Sequence, residues 1–137
     1  MRAVLDTNVI VSGLLSPHSP PGGIVRLLVS GRITLCLDAR AFAEYAEVLA
    51  RPKFKFAPEL VSMFLEHIKH NGAFVVCEPL KFDLPDKDDN VFYEVAVAGK
   101  AECLVTGNLK HFPRSSCKAI KVLSPAQFIE LVKSSKD

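Results

Sequence analysis

The order of apolar and polar residues in this chain predicts a three-layer α/β/α domain built on a mainly parallel sheet. Three observations carry that prediction. Short apolar runs of strand length alternate with segments whose apolar residues recur at helical spacing, from one end of the 137 residues to the other. No repeat and no linker interrupts the alternation, so residues 1–137 read as one domain. The first apolar run, Val4-Leu5, ends on Asp6, and open α/β sheets place their ligands at such strand ends.

The elements follow in order. Residues 2–5 form the first strand, and the stretch from Ser12-Gly13 to Gly22-Gly23, dense in turn residues, reads as a polar loop. Ile24, Leu27 and Leu28 then recur at helical spacing, and Gly31 stops that helix. Residues 33–37 are a second buried strand. Asp38 is placed to cap a helix over 39–50, which Arg51-Pro52 ends. A helix over 58–70 carries Leu60, Phe64, Leu65 and Ile68, and a strand over 73–77 follows Asn71-Gly72. The acidic connection 83–90 opens a helix with Phe92, Val95, Ala96 and Gly99 on one face. Cys103-Leu104-Val105-Thr106 reads as a buried parallel strand, and a short strand covers 120–123. The last helix starts at Ser124-Pro125, where Gln127 completes a capping box.

Composition narrows the class. Apolar residues make up 49% and charged residues 23%, a globular balance rather than a disordered one. A net charge of +2 is compatible with nucleic acid without demanding it. Cys36, Cys77, Cys103 and Cys117 show no metal-finger spacing and read as free thiols of a reducing cytosol. No apolar run reaches the length of a membrane span and no secretory signal pattern opens the chain, so a soluble cytoplasmic protein is expected.

Chemistry is carried by acids. Asp6 is a charge at the end of an apolar strand, and burying it unpaired would cost several kcal/mol. Glu44 falls at the edge of the apolar arc Phe42, Tyr45, Val48 and Leu49, whereas Glu47 points further to solvent. Asp89 opens the Phe92 helix with Asp86 one turn before it. Singly these are ordinary turn, helix-surface and capping residues. Together at one sheet edge they would repel unless a cation neutralised them. Hard oxygen ligands suit Mg²⁺ or Mn²⁺ rather than Zn²⁺, and such an ion can activate water for phosphodiester hydrolysis.

Four ordered blocks carry a family resemblance: Val4-Leu5-Asp6-Thr7-Asn8; Glu44 with Glu47-Val48-Leu49-x-Arg51-Pro52-Lys53-Phe54; Asp86-x-x-Asp89-x-x-Phe92; and Cys103-Leu104-Val105-Thr106-Gly107-Asn108. With this spacing the chain resembles the PIN-domain nucleases, and more narrowly the VapC-like toxins of prokaryotic toxin–antitoxin pairs. That resemblance implies metal-dependent cleavage of single-stranded RNA, a small antitoxin partner and a homodimer. It matches Asp6, Glu44 and Asp89 to the family's acids, with Asp86 an additional one. Asp6 and Asp89 would hold the Mg²⁺ or Mn²⁺, while Glu44 and Asp86 complete its shell or deprotonate the attacking water. Thr7, Asn8 and Thr106 would orient the acids through hydrogen bonds. Many PIN domains carry a fourth aspartate where this chain has Asn108, whose amide oxygen can ligate a metal or accept a proton but brings no charge.

Two basic clusters are RNA-contact candidates. Arg51, Lys53 and Lys55 alternate with Pro52, Phe54 and Phe56, and Lys110, His111, Arg114 and Lys118 follow Asn108. The second adjoins the acids and is the stronger. His67 and His70 read as helix-surface residues. Of the rival classes, a PIN-like module that binds RNA or protein without cleaving is made thinkable by Asn108. A phosphatase would want a second aspartate at Asn8, and a dinucleotide fold would want a G-x-G-x-x-G after the first strand.

Overall fold

The computed structural model describes residues 1–135. Its centre is a parallel sheet of β1 (Arg2–Leu5), β2 (Thr34–Leu37), β3 (Ala73–Phe74), β4 (Cys103–Val105) and β5 (Lys121–Leu123), in the order β3-β2-β1-β4-β5. Six helices flank it: α1 (Thr7–Leu15), α2 (Pro20–Val29), α3 (Ala39–Leu49), α4 (Pro58–Asn71), α5 (Asn90–Ala98) and α6 (Pro125–Ser134). The three-layer α/β/α prediction holds. Ala3, Val4 and Leu5 are fully buried because β1 has neighbours on both sides and helices above and below, which explains why it reads as a continuous apolar run.

Strand order reverses between β1 and β4. The chain leaves β1 toward β2 and β3, then returns across the sheet to β4 and β5. Connections leaving β1 and β4 therefore diverge, and a crevice opens at their carboxyl ends. Asp6 stands on one lip of it and Thr106 on the other, since Leu5 pairs with Val105.

Local signals set several boundaries as expected. The Asp38 carboxylate accepts from the Ala41 amide at 3.0 Å at the start of α3. Ser124 and Gln127 close a reciprocal capping box on α6, with Pro125 in its first turn. Gly31 has φ 80°, the left-handed conformation that favours glycine at a helix end.

Two expectations are corrected. The stretch after Asn8 is not a loop up to Gly23 but two helices. Val9, Ile10 and Val11 are buried along α1, and Ser12-Gly13 lies inside it rather than at a turn. Gly13 is needed for contact, because a Cβ there would sit 2.6 Å from both the Pro21 carbonyl oxygen and Val25 Cγ2 of α2. α2 itself begins at Pro20, four residues before its first apolar position, with Ser19 accepting from the Gly22 amide. The third strand is also shorter than 73–77. After the Val75 amide bonds the Leu37 carbonyl, the chain leaves the sheet edge, and Val76 is 96% exposed.

Arg40 clasps the segment that follows. Its Nη2 lies 2.8 Å from Asp38 Oδ2 and 2.9 Å from Glu94 Oε1, while the other Glu94 oxygen accepts from the Leu80 amide at 3.0 Å. The four cysteines are free thiols, buried at Cys36, Cys103 and Cys117 and half-buried at Cys77. Burial pushes the Cys103 thiol up to about 11, which removes it as a nucleophile at neutral pH. His70 is exposed and pairs with Glu66, as a surface residue would, whereas the half-buried His67 ring meets the Leu28 carbonyl.

Candidate active site

Each acid reaches the crevice by a local device. Asp6 is carried there by β1, and its backbone amide still bonds the Val105 carbonyl before the chain turns into α1. Its carboxylate is buried and accepts from Thr106 Oγ1 at 2.9 Å, a bond across the strand-order reversal. Burial raises the Asp6 pKa, against the pull of the Thr106 hydroxyl and the nearby amides of Asn8 and Thr7.

Glu44 arrives on α3, half-buried at the border predicted for it, and its carboxylate accepts from the Thr7 hydroxyl. The next residue fixes that helix to the sheet. Tyr45 is fully buried and its hydroxyl donates to the Leu5 carbonyl at 2.6 Å, one residue before Asp6. Tyr45→Phe is expected to cost about 1–2 kcal/mol in chemical denaturation, the effect of leaving that carbonyl unpaired. Unchanged stability would show that the bond does not hold α3 in register.

The third group lies on the turn into α5. Asp86 caps a single 3₁₀ turn (Lys87–Asp89) by accepting from the Asp88 amide at 3.0 Å. Asp89 ends that turn, with its side chain only 13% exposed. Its Oδ2 is buried and accepts no hydrogen bond from any described residue. His111 Nδ1 lies 2.9 Å from that oxygen, a charge pair without the alignment of a regular hydrogen bond, and it pulls the Asp89 pKa down against burial. Burial first, and the charge of nearby Asp6 next, push the Asp89 carboxyl up to about 6.

Of the predicted site residues, the fold gathers Asp86 and Asp89 and adds His111, with one potential ligand atom from each lying within 4.8 Å of the others. The charge of Asp6 acts on Asp89, and the Glu44 carboxylate is tied to Thr7, the residue after Asp6; neither Asp6 nor Glu44 belongs to the close cluster of Asp86, Asp89 and His111. Thr106 also accepts from the Asn108 amide at 3.0 Å, so the turn after β4 is tied to the same hydroxyl that holds Asp6. Asn8 is exposed at the start of α1. Lys110 and Arg114 are exposed on the loop that carries His111. The other basic cluster is engaged elsewhere: Arg51 pairs with Glu47 at 2.9 Å, and Lys53 Nζ lies 5.0 Å above the Phe54 ring. Phe54 and Phe56 stack on each other at 5.8 Å. In the sequence His111 stood only among possible RNA contacts; its approach to Asp89 needs the loop after β4 to fold back on the turn before α5.

A buried carboxylate oxygen with no aligned donor, close to Asp86 and His111 and within reach of the Asp6 charge, has the chemistry of a divalent-cation ligand. The residues therefore fit a divalent ion. A family model described as PIN domain matches residues 2–110. The chain belongs to the PIN domain family. An uncharacterized protein of Methanocaldococcus jannaschii is 27% identical over 151 residues, spanning 95% of this chain and 90% of its own length. Among solved structures, a chain of VapBC2 from Rickettsia felis, crystallised bound to a DNA fragment from its promoter, superimposes with a TM-score of 0.56. That match covers 90% of this chain and 98% of the other at 17% identity, and it establishes the PIN fold. Among the described residues no helix is long and apolar enough to cross a membrane.

Proposed function

We propose that this PIN domain is a divalent-metal-dependent ribonuclease that cleaves single-stranded RNA, acting as the toxin of a toxin–antitoxin pair. The observation that carries the reading is the donorless buried oxygen of Asp89 within a cluster of acids at the strand-order reversal. Asp89, Asp86 and Asp6 would hold the ion, Mg²⁺ or Mn²⁺, which supplies charge neutralisation and a water of lowered pKa. Glu44, half-buried on α3, would take the proton of the attacking water. As that oxygen bonds to phosphorus, one bridging P–O bond breaks and the leaving oxygen takes a proton from solvent. Thr7 and Thr106 keep the Glu44 and Asp6 carboxylates aimed. Lys110 and Arg114, both exposed, would bind flanking phosphates, and the salt dependence of RNA binding would report them.

An antitoxin partner is supported by the fold shared with the VapBC2 chain. Homodimerisation rests on the family resemblance. A second reading, a module that binds RNA or protein without cleaving, is favoured by Asn108, which leaves the acidic set one charge short. The deciding experiment compares wild type with Asp6→Asn on a single-stranded RNA, with Mg²⁺, Mn²⁺ or EDTA. Metal-dependent cleavage that falls at least about 100-fold in the variant is expected. Equal cleavage by both proteins, or none by wild type with either ion, rejects the nuclease.

A further inference from the structure

We infer that His111 is a direct nitrogen ligand of the divalent ion, oriented by Asn108, and that it gives the site a preference for Mn²⁺ over Mg²⁺. This rests on the metal-site reading above and deepens it. The geometry is the starting point. His111 Nδ1 and Asp89 Oδ2 are 2.9 Å apart, yet the oxygen accepts no hydrogen bond. A ring nitrogen and a carboxylate oxygen held this close without an aligned hydrogen bond could serve as ligands of one ion. Asp86 offers a third ligand atom within 4.8 Å of these two.

The other ring nitrogen explains Asn108. Its side-chain nitrogen lies 3.0 Å from His111 Nε2. The amide's oxygen and nitrogen have nearly the same shape, so a half-turn of the group presents its oxygen to Nε2–H instead. In that arrangement the proton is held on Nε2 and the Nδ1 lone pair is free toward Asp89, the way ligating histidines are usually fixed from behind. Asn108 is anchored for this by its backbone amide on Thr106 Oγ1, the hydroxyl that also binds Asp6. A neutral imidazole in place of an oxygen ligand favours a first-row transition ion over Mg²⁺.

The test uses Mn²⁺ alone, with the full chain and no RNA. Pulsed electron paramagnetic resonance of the Mn²⁺-loaded wild type is expected to show coupling to a directly bound nitrogen. His111→Gln should lose that coupling and bind Mn²⁺ at least about ten-fold more weakly, while its Mg²⁺ affinity changes less. The His111 side chain is 38% exposed, so the variant should keep the wild-type circular dichroism and the free-thiol count. Nitrogen coupling absent from Mn²⁺-loaded wild type, or retained in His111→Gln, overturns this assignment and leaves the carboxylate site standing. Failure of wild type to bind Mn²⁺ more tightly than Asp6→Asn overturns both.

Discussion

Asp89→Asn is expected to stabilise the metal-free protein by about 1–3 kcal/mol at pH 7 while abolishing metal-dependent cleavage. The stabilisation follows from the carboxyl's rise from 3.8 to about 6, since each unit is worth about 1.4 kcal/mol. An acid whose folded pKa is raised holds its proton better in the folded state than in the unfolded one. Below pH 3.8 both states are protonated and the group is neutral in its effect. As pH climbs to about 6 the unfolded chain ionises first, and above it the full penalty is in place. Denaturant titrations in EDTA should therefore show the variant ahead at pH 7 and level with wild type near pH 4. Saturating Mn²⁺ should reverse the order, because binding at 100 times Kd adds about 3 kcal/mol to wild type and nothing to the variant. Equal stabilities at pH 7 in EDTA would mean that Asp89 is not the strained member of the site.

Arg40→Ala is the other change with a large expected effect, and it acts away from the chemistry. Asp38 and Glu94 are both buried and share this one guanidinium. Removing a partner from a fully buried pair costs about 3–5 kcal/mol. Arg40 is half-exposed, so water will partly replace it and about 2–3 kcal/mol is the expected loss. Acid should act in the same direction. Burial alone would raise the Asp38 pKa, but the Ala41 amide and Arg40 outweigh it and hold the carboxyl below 3.8. A depressed pKa contributes stability that is complete above the unfolded value and disappears as pH falls through the folded one. Melting of wild type against Arg40→Ala between pH 7 and pH 2 should show the gap between them narrowing at the acid end. A gap that persists unchanged would assign the loss to packing of the arginine stem instead.

How far the sequence reveals these features depends on the range of the interaction. The Ser124–Gln127 box and the Asp38 cap were legible because each is decided within four residues. The acids were legible as candidates because a charge at the end of a buried strand, or at the rim of an apolar helix face, is conspicuous in a linear pattern. α1 was not. Ser12-Gly13 carries the composition of a turn, and only the close approach of Pro21 and Val25 explains a glycine inside a helix. The short β3 had the same origin, since Ala73 to Cys77 is apolar and β-branched enough for a full strand and only its place at the sheet edge ends it. The approach of His111 to Asp89 was not legible because its spacing to Asp89 has no periodic meaning; the contact exists only once β4 is paired to β1.

That pairing has a consequence for how the protein is made. β1 is made before either of its neighbours, yet one of them is β4, and the Thr106 hydroxyl that aims Asp6 lies 100 residues downstream. Until then the nascent chain presents Ala3-Val4-Leu5 as an open, apolar strand edge, the kind that invites foreign pairing. A contact this distant also slows folding, because the loop must close before it is rewarded. A chain broken off before Cys103 lacks both β4 and Thr106, and with them the strand that forms the crevice and the hydroxyl that holds Asp6.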